Sequence, residues 1–267
     1  MGADIKSLRT RIRSVDSTLH LTKAMGLVAS SKIRRANDAM LKGRDYASAV
    51  TETVKVLTAC PDCSKSPYMQ QRDGGRVKLI VIAGDRGMAG GYNANVFRLV
   101  RELPEAEIVP IGKRACERYG EEIRSSETYS YGQARELAEQ LCLEFEEGRF
   151  DRLGIVSTEY VSMMTQNARV DWVLPLKKAE DVPTRQVVFE PDEITILNDA
   201  VPEYVAGLLM AALRESFACE VAARRMAMDS AGKNAQQMID ELQLAYNRAR
   251  QGAITQEITE IVAGSGM

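Results

Sequence analysis

The side chains in this sequence that could do chemistry are few, and their spacing rarely suits it. The one histidine, His20, stands in a basic segment away from any cluster of carboxylates or cysteines. Histidine-based metal sites and serine-histidine triads therefore lack their parts. Cys60 and Cys63 form a Cys-x-x-Cys pair with no second pair to complete a tetrahedral zinc site. Such a pair is redox-active when it opens a helix after a strand, whereas here it closes a helical pattern and enters a loop. The five cysteines, Cys60, Cys63, Cys116, Cys142 and Cys219, are odd in number and scattered. That pattern argues against a disulfide framework and for a reducing compartment.

The stretch most suggestive of a ligand runs from Val77 to Asn93, a strand entering the glycine-rich turn Gly84-Asp85-Arg86-Gly87-Met88-Ala89-Gly90-Gly91 before a helix. In α/β proteins that position binds phosphate on backbone N–H groups. The spacing is GxxGxxGG rather than GxGxxG, and glycines that merely permit a tight turn account for it more simply. Neither Gly112-Lys113 nor Gly232-Lys233 is followed by the Ser or Thr that a Walker A loop needs. Glu121, Glu122, Glu144, Glu146 and Glu147 fall on expected helix faces with no accompanying base. No catalytic, cofactor or metal site is expected.

The elements that would position any site are dominated by two long helices. Apolar or small residues recur at alternating spacings of three and four from Ile5, Leu8, Ile12, Val15, Leu19, Thr22 and Gly26 to Val54 and Leu57, the signature of a helix that winds on another. No proline interrupts Asp4 to Ala59, so one helix could run ~84 Å, against roughly 45 to 50 Å for a compact chain of this size. A second seam, Met228, Ala231, Ala235, Met238, Leu242, Ala245, Ala249 and Gly252, follows Pro202, continued by Ile254, Ile258 and Ile261. The two seams are expected to pair as a long antiparallel coiled coil, with Met25, Leu27, Val28 and the terminal isoleucines facing outward. An outward apolar surface calls for a partner.

Between the helices, strands at 77–83, 108–111, 153–157 and 169–176 alternate with helices at 93–103, 114–123 and 133–150. This alternation predicts a parallel-type sheet covered by helices. The expected division is an N-terminal shaft helix over 1–60, a central Rossmann-like α/β domain over 61–202, punctuated near its end by Pro175, Pro183, Pro191 and Pro202, and a C-terminal shaft helix over 203–267.

Charge is unevenly spread although the net is only −2. Residues 1–44 carry ten Lys or Arg against three Asp, and residues 45–202 carry nineteen against twenty-six Asp or Glu. A basic helix meets nucleic acid, anionic lipid or an acidic protein surface. The lack of any Phe, Tyr or Trp in 1–44 speaks against stacking on single-stranded nucleic acid. No run approaches 18 consecutive apolar residues and no signal-peptide core opens the chain, so neither membrane spanning nor export is expected.

Three groups of residues carry a family resemblance. They are Ile5-Lys-Ser-Leu-Arg-Thr-Arg-Ile12 with Thr22-Lys-Ala-Met25 and Val28-Ala-Ser-Ser-Lys-Ile-Arg-Arg35; the turn Asp85 to Asn93; and Glu215-Ser216, Cys219-Glu220, Leu242-Gln-Leu-Ala-Tyr-Asn-Arg-Ala-Arg250-Gln251 and Ile254 to Gly264. Over essentially its whole length the chain resembles the gamma subunit of the F-type rotary ATP synthase. The resemblance implies a central rotor shaft that couples ion-driven rotation of the membrane c ring to cycling of the catalytic beta subunits, reversible by ATP hydrolysis. It implies no active site of its own and no cofactor. Implied partners are alpha and beta subunits in a 3:3:1 complex, the epsilon subunit and the c ring, with no nucleic acid. The implied location, for a bacterial source, is the cytoplasmic face of the cell membrane.

By the same resemblance, Met25 and Arg224 match shaft positions facing an acidic lever of beta. Arg250, Gln251, Thr255, Gln256 and Glu257 match polar positions that hydrogen-bond alpha and beta loops, and Tyr204 matches a foot position near the c ring. Gly26 departs from the family's usual larger residue, and Met88-Ala89 stand where Leu-Cys is common. No thiol-regulatory insert is evident. Two other readings remain: a self-assembling coiled-coil scaffold, which would form a symmetric bundle, and a nucleotide-dependent α/β enzyme, which would bind ligand at Gly84 to Gly91.

Overall fold

The computed structural model describes residues 2–72, 74–179 and 189–265. Its elements are α1 (Gly2–Ala59), β1 (Val77–Ile82), α2 (Tyr92–Val100), β2 (Glu107–Ile111), α3 (Lys113–Tyr119), α4 (Tyr131–Glu146), β3 (Arg152–Tyr160), β4 (Gln166–Leu174) and α5 (Glu193–Ser265). They divide into two compact units, one built from residues 1–31 and 224–267, the other from 32–223.

In the first unit, the two helical segments pair antiparallel through the expected seam. Leu19 packs on Ala235 and Ile239, with Val15 beside them. A Cβ on Gly232 would lie 3.6 Å from Thr22 Oγ1, and one on Gly26 would lie 3.5 Å from Met228 Cβ. As numbers rise along α1, their partners on α5 fall. Each seam residue of α1 is buried or half-buried, because the three-four spacing keeps one stripe turned toward the partner helix. On α5 the seam slips by one residue. Met238 is 42 % exposed while Ile239 is 8 % exposed, and Tyr246 and Ala253 are half-buried in place of Ala245 and Gly252. Two successive four-residue steps, 231 to 235 to 239, follow the 3.6-residue helical period, and the β-branched Ile239 supplies the apolar side chain at that step.

The second unit is a four-stranded sheet of order β2-β1-β3-β4 among the described residues. β1 pairs parallel with β2 and with β3. β4 runs antiparallel to β3, so the sheet is mixed rather than wholly parallel. Only five residues separate Tyr160 from Gln166, and so short a link can make a hairpin but not a parallel crossover. β1 reads as an unbroken apolar run because both its faces are covered. Leu79 and Val81 meet Val96 and Val100 of α2 on one side. On the other, Ile80 and Ile82 join Phe145 of α4, Leu57 of α1 and Leu197, Val201 and Leu209 of α5.

Helix α4 opens on a capping box in which Ser130 and Gln133 satisfy each other's backbone N–H groups. Helix α3 is shorter than expected because Gly120 takes a left-handed conformation, φ 73°, which ends the helix. Helix α5 starts at Glu193, ten residues before its expected start, and carries Pro202 inside it. Proline there removes one backbone donor, but Leu197, Val201, Val205 and Ala206 are buried in the core around it and hold the helical path. Part of α5 is apolar enough by length and composition to cross a membrane, with 44 % of that window buried in the protein, which is also what a core helix looks like. Pro183 lies outside the described residues.

Candidate functional site

The outer surface of the first unit carries large apolar side chains together with cations. On α1 the large apolar side chains of Leu21, Leu27 and Val28 are exposed, Leu27 by 68 %, and on α5 Ile254, Ile258, Ile261 and Val262 are exposed, Ile261 by 69 %. The i, i+4, i+7 spacing of Ile254, Ile258 and Ile261 keeps them on one stripe. Lys6, Arg9, Arg11, Arg13 and Lys23 are all exposed, so the cations seen in the sequence point to solvent. His20 joins them, its Nε2 3.8 Å from Asp16, as an ordinary i, i+4 surface contact.

The positions singled out by resemblance are distributed as follows. Arg250, Gln251, Thr255, Gln256 and Glu257 are exposed on the same stretch of α5 as the isoleucine stripe. The Thr255 hydroxyl donates to the Gln251 carbonyl at 2.9 Å and the Gln256 amide donates to Glu260 at 2.8 Å, so both are held on the helix surface. Arg224 is half-buried, and so is Met25, which, contrary to expectation, does not face outward. Met25 lies three residues after Thr22 and four before Ala29 and therefore flanks the seam. A Cβ on Gly26 would stand 3.1 Å from Arg225 Nη1, so a larger residue would displace the guanidinium.

Tyr204 belongs to the second unit. It is half-buried against the core, and burial, which outweighs a hydrogen bond with Thr51, pushes its phenol up.

The glycine-rich turn after β1 spends its polar groups internally. Gly84 N–H donates to Asn93 Oδ1 at 2.9 Å, and Gly84 O accepts from Arg114 N at 3.1 Å. Asp85 accepts from the backbone of Lys113, Ser126 and Glu127 at 3.0, 2.9 and 3.1 Å, and from the Ser125 hydroxyl. Burial opposes its ionisation, but these four bonds outweigh it and hold the carboxyl below its usual range. The Asp85 carboxylate thus ties the turn to the first N–H of α3 and to the 125–127 segment. Gly112, φ 97°, brings α3 so close that a Cβ would lie 1.9 Å from Ala83 O.

Cys60 and Cys63 are free thiols. Cys63 Sγ lies 3.5 Å from the Glu193 carbonyl oxygen, and burial raises it to about 11, which removes the thiolate that redox chemistry needs. The segment Glu215 to Glu220 has a role that spacing alone did not disclose. Tyr160 N–H donates to Glu215 at 2.8 Å and Thr158 N–H to Ser216 Oγ at 3.2 Å, while Arg44 bridges Glu215 and the Tyr160 carbonyl. Polar residues in an otherwise apolar helix thus cap the unpaired edge groups of β3. An acid and a serine spaced i, i+1 amid an apolar helix were the only signal.

A pair of antiparallel helical segments in one unit and a mixed α/β sheet with helices in the other define a class of protein that combines a two-helix unit with an α/β unit, without a catalytic constellation among the described residues. A model of the ATP synthase family matches residues 4–266. The ATP synthase gamma chain of Ruminococcus albus is 38 % identical over 282 aligned residues, and that of Desulforamulus reducens 35 % over 278, each covering 98 % of both chains. The chain belongs to the ATP synthase gamma-chain family. Its fold matches a chain in the Euglena gracilis mitochondrial ATP synthase (OSCP, F1 and c ring) with TM-score 0.70 at 18 % identity, covering 99 % of this chain and 94 % of that one. A chain of the Tetrahymena thermophila mitochondrial ATP synthase central stalk and c ring matches with TM-score 0.64 at 21 % identity, covering 79 % and 99 %.

Proposed function

We propose that the chain works as the central rotor shaft of an F-type ATP synthase, transmitting ion-driven rotation of a c ring to catalytic beta subunits and running in reverse when ATP is hydrolysed. The observation that carries this reading is the division of labour in the first unit: an inner seam that is filled within the chain, and an outer face that is apolar and cationic. A seam filled intramolecularly leaves nothing for a symmetric homo-bundle, which weighs against the scaffold alternative. The GxxGxxGG spacing of the turn at Asp85 weighs against a nucleotide-binding enzyme.

A rotating shaft does work on its surroundings only if its contact free energy differs among the conformations it meets. The face supplies such a difference, since Leu27 and Val28 lie on one helix with the cations, and the isoleucine stripe lies on the other with Arg250, Gln251, Thr255, Gln256 and Glu257. We assign these five polar residues to hydrogen bonds with alpha and beta loops, and the cations with Met25 and Arg224 to an acidic beta surface. The α/β unit, with Tyr204, is assigned to the epsilon subunit and the c ring at the cytoplasmic face of a bacterial membrane. The chain itself makes and breaks no bonds.

Affinity purification of the tagged chain from its host tests this. Recovery with alpha and beta subunits at 3:3:1 is expected. Recovery alone, or as a homo-oligomer without them, would overturn the assignment.

A further inference from the structure

Several charges of the second unit are paired. Lys32 meets Glu127, Lys65 meets Asp62, Lys78 meets Glu107 and Glu144, and Arg114 meets Glu117. In the cleft of about 610 Å³ between β4 and α5, Arg44 faces Glu215, and Arg169 faces Glu159 and Asp171 at 2.7 and 2.9 Å. Nothing charged is left there for a ligand.

The adjoining cleft, about 530 Å³, differs. It is lined by the last turns of α1, the Gln71-Arg72 segment, the start of β3 and the end of β4 with Lys177. Its volume lies within the ~300–1,000 Å³ of small-molecule sites. Its one acid, Asp151, is consumed by Arg76, which donates through Nε, Nη2 and its backbone N–H at 3.2, 3.0 and 3.0 Å. Among the described residues, Arg152 and Lys177 meet no carboxylate. The Arg152 guanidinium lies 3.8 Å over the Trp172 ring. Arg72 is fixed over Phe145, 4.6 Å to the ring centre, by Nη1 bonds to the Phe145 and Phe150 carbonyls, which leaves Nε and Nη2 without a hydrogen bond to the described residues. Lys55 on the rim shares its charge with exposed Glu52. Hydrogen bonds from Arg76, and beyond them the charge of Arg72, hold the Asp151 carboxyl below its usual range. Arg72, Arg152 and Lys177 thus line one concavity with that single acid among its described lining residues, in a stretch where acids outnumber bases by twenty-six to nineteen.

We propose that this cleft binds a phosphate-bearing anion, gripped by Arg72, Arg152 and Lys177. Two planar guanidiniums suit paired phosphate oxygens, and the lysine adds a mobile point charge. Aromatic rings already hold both guanidiniums in place, so less side-chain entropy is lost on binding. The phosphate can belong to a soluble polyphosphate or to a lipid headgroup, since both present the same oxygens.

Trp172 is the chain's one tryptophan, and it lines the cleft, so its emission reports occupancy directly. The full-length chain at low ionic strength is titrated with pyrophosphate, followed by Trp172 fluorescence and by equilibrium dialysis, and floated with vesicles of phosphatidylcholine with and without phosphatidylglycerol. The comparison variants are Arg152→Gln/Lys177→Gln and, removing equal charge elsewhere on the same unit, Arg101→Gln/Arg118→Gln, all checked for fold by circular dichroism. Saturable binding that falls at least about tenfold in the first variant and holds in the second is expected. Pyrophosphate binding identifies a soluble ligand and phosphatidylglycerol-dependent flotation a headgroup, and either supports the site. No binding of either probe, equal binding to neutral vesicles, or binding that survives Arg152→Gln/Lys177→Gln overturns it.

Discussion

Replacing Leu19 and Leu27 in turn by alanine separates the two faces of the helical unit, because the residues share a helix and a chemistry and differ only in where they point. Leu19 is 5 % exposed and packs on Ala235 and Ile239. Leucine-to-alanine changes in cores cost about 2 to 5 kcal/mol. A two-helix seam is open along its edges and can partly collapse, so the lower end, about 2 to 3 kcal/mol, applies. Leu27 keeps roughly a third of its surface covered, and its truncation should cost about 0.5 to 1 kcal/mol by area. Hydrogen exchange read by mass spectrometry over 12–31 and 228–245 converts these into protection, at tenfold per 1.4 kcal/mol. Leu19→Ala should lose roughly 30- to 140-fold and Leu27→Ala about two- to fivefold. Leu27→Ala should in turn reduce recovery of alpha and beta subunits with the tagged chain. Equal loss of protection in the two variants would refute the assignment of inner and outer faces.

Gly112→Ala should cost more than about 3 kcal/mol, seen as a lowered urea midpoint, since its Cβ would overlap the Ala83 carbonyl oxygen at 1.9 Å. Asp85 titrates below its ordinary 3.8 in the folded chain, so the stability it contributes is present above that value and lost as pH falls through the lower, folded one. Asp85→Asn should therefore cost about 1.5 to 3 kcal/mol near neutrality, and its deficit relative to the parent should shrink in denaturation curves recorded below pH 3.8. With Cys63 raised by burial to about 11 and Cys142 to about 12, iodoacetamide at pH 8 should modify the half-buried Cys60 first, as peptide mapping would show. Arg250→Ala and Gln251→Ala should lower coupled ATP synthesis while leaving the circular dichroism of the chain unchanged; normal coupling in both would remove them from the contact surface.

The helical seam on α1 was legible residue by residue, because side-chain burial on a paired helix depends on little beyond periodicity. The α5 seam was legible through Ala235 and again at Leu242 and Ala249, but not at Met238, Ala245 or Gly252. Past Ala235, Met238 and Ile239 are both apolar, and the choice between them rests on the partner's surface, which one sequence stretch does not contain. Pro202 misled because proline's missing donor is a local cost, whereas the burial of Leu197 and Val201 that overrides it is a tertiary gain. The antiparallel β4 followed from the short 161–165 link, a stronger constraint than strand-helix alternation. Glu215 and Ser216 could be quoted as a motif but not explained, since their partners on β3 lie 55 and 58 positions away. The cleft at Trp172 was invisible for the same reason: Arg72, Arg152 and Lys177 are brought together only by the fold.

The rotor reading is tested most directly by watching the chain turn. Met164, at the β3–β4 hairpin tip, is 80 % exposed and can be changed to cysteine, in a Cys60→Ser background, to carry a bead while the assembled complex is fixed to a surface through its beta subunits. Addition of ATP should produce rotation in one direction, pausing three times per turn. A bead that stays still while the same complexes hydrolyse ATP at their normal rate would contradict the account.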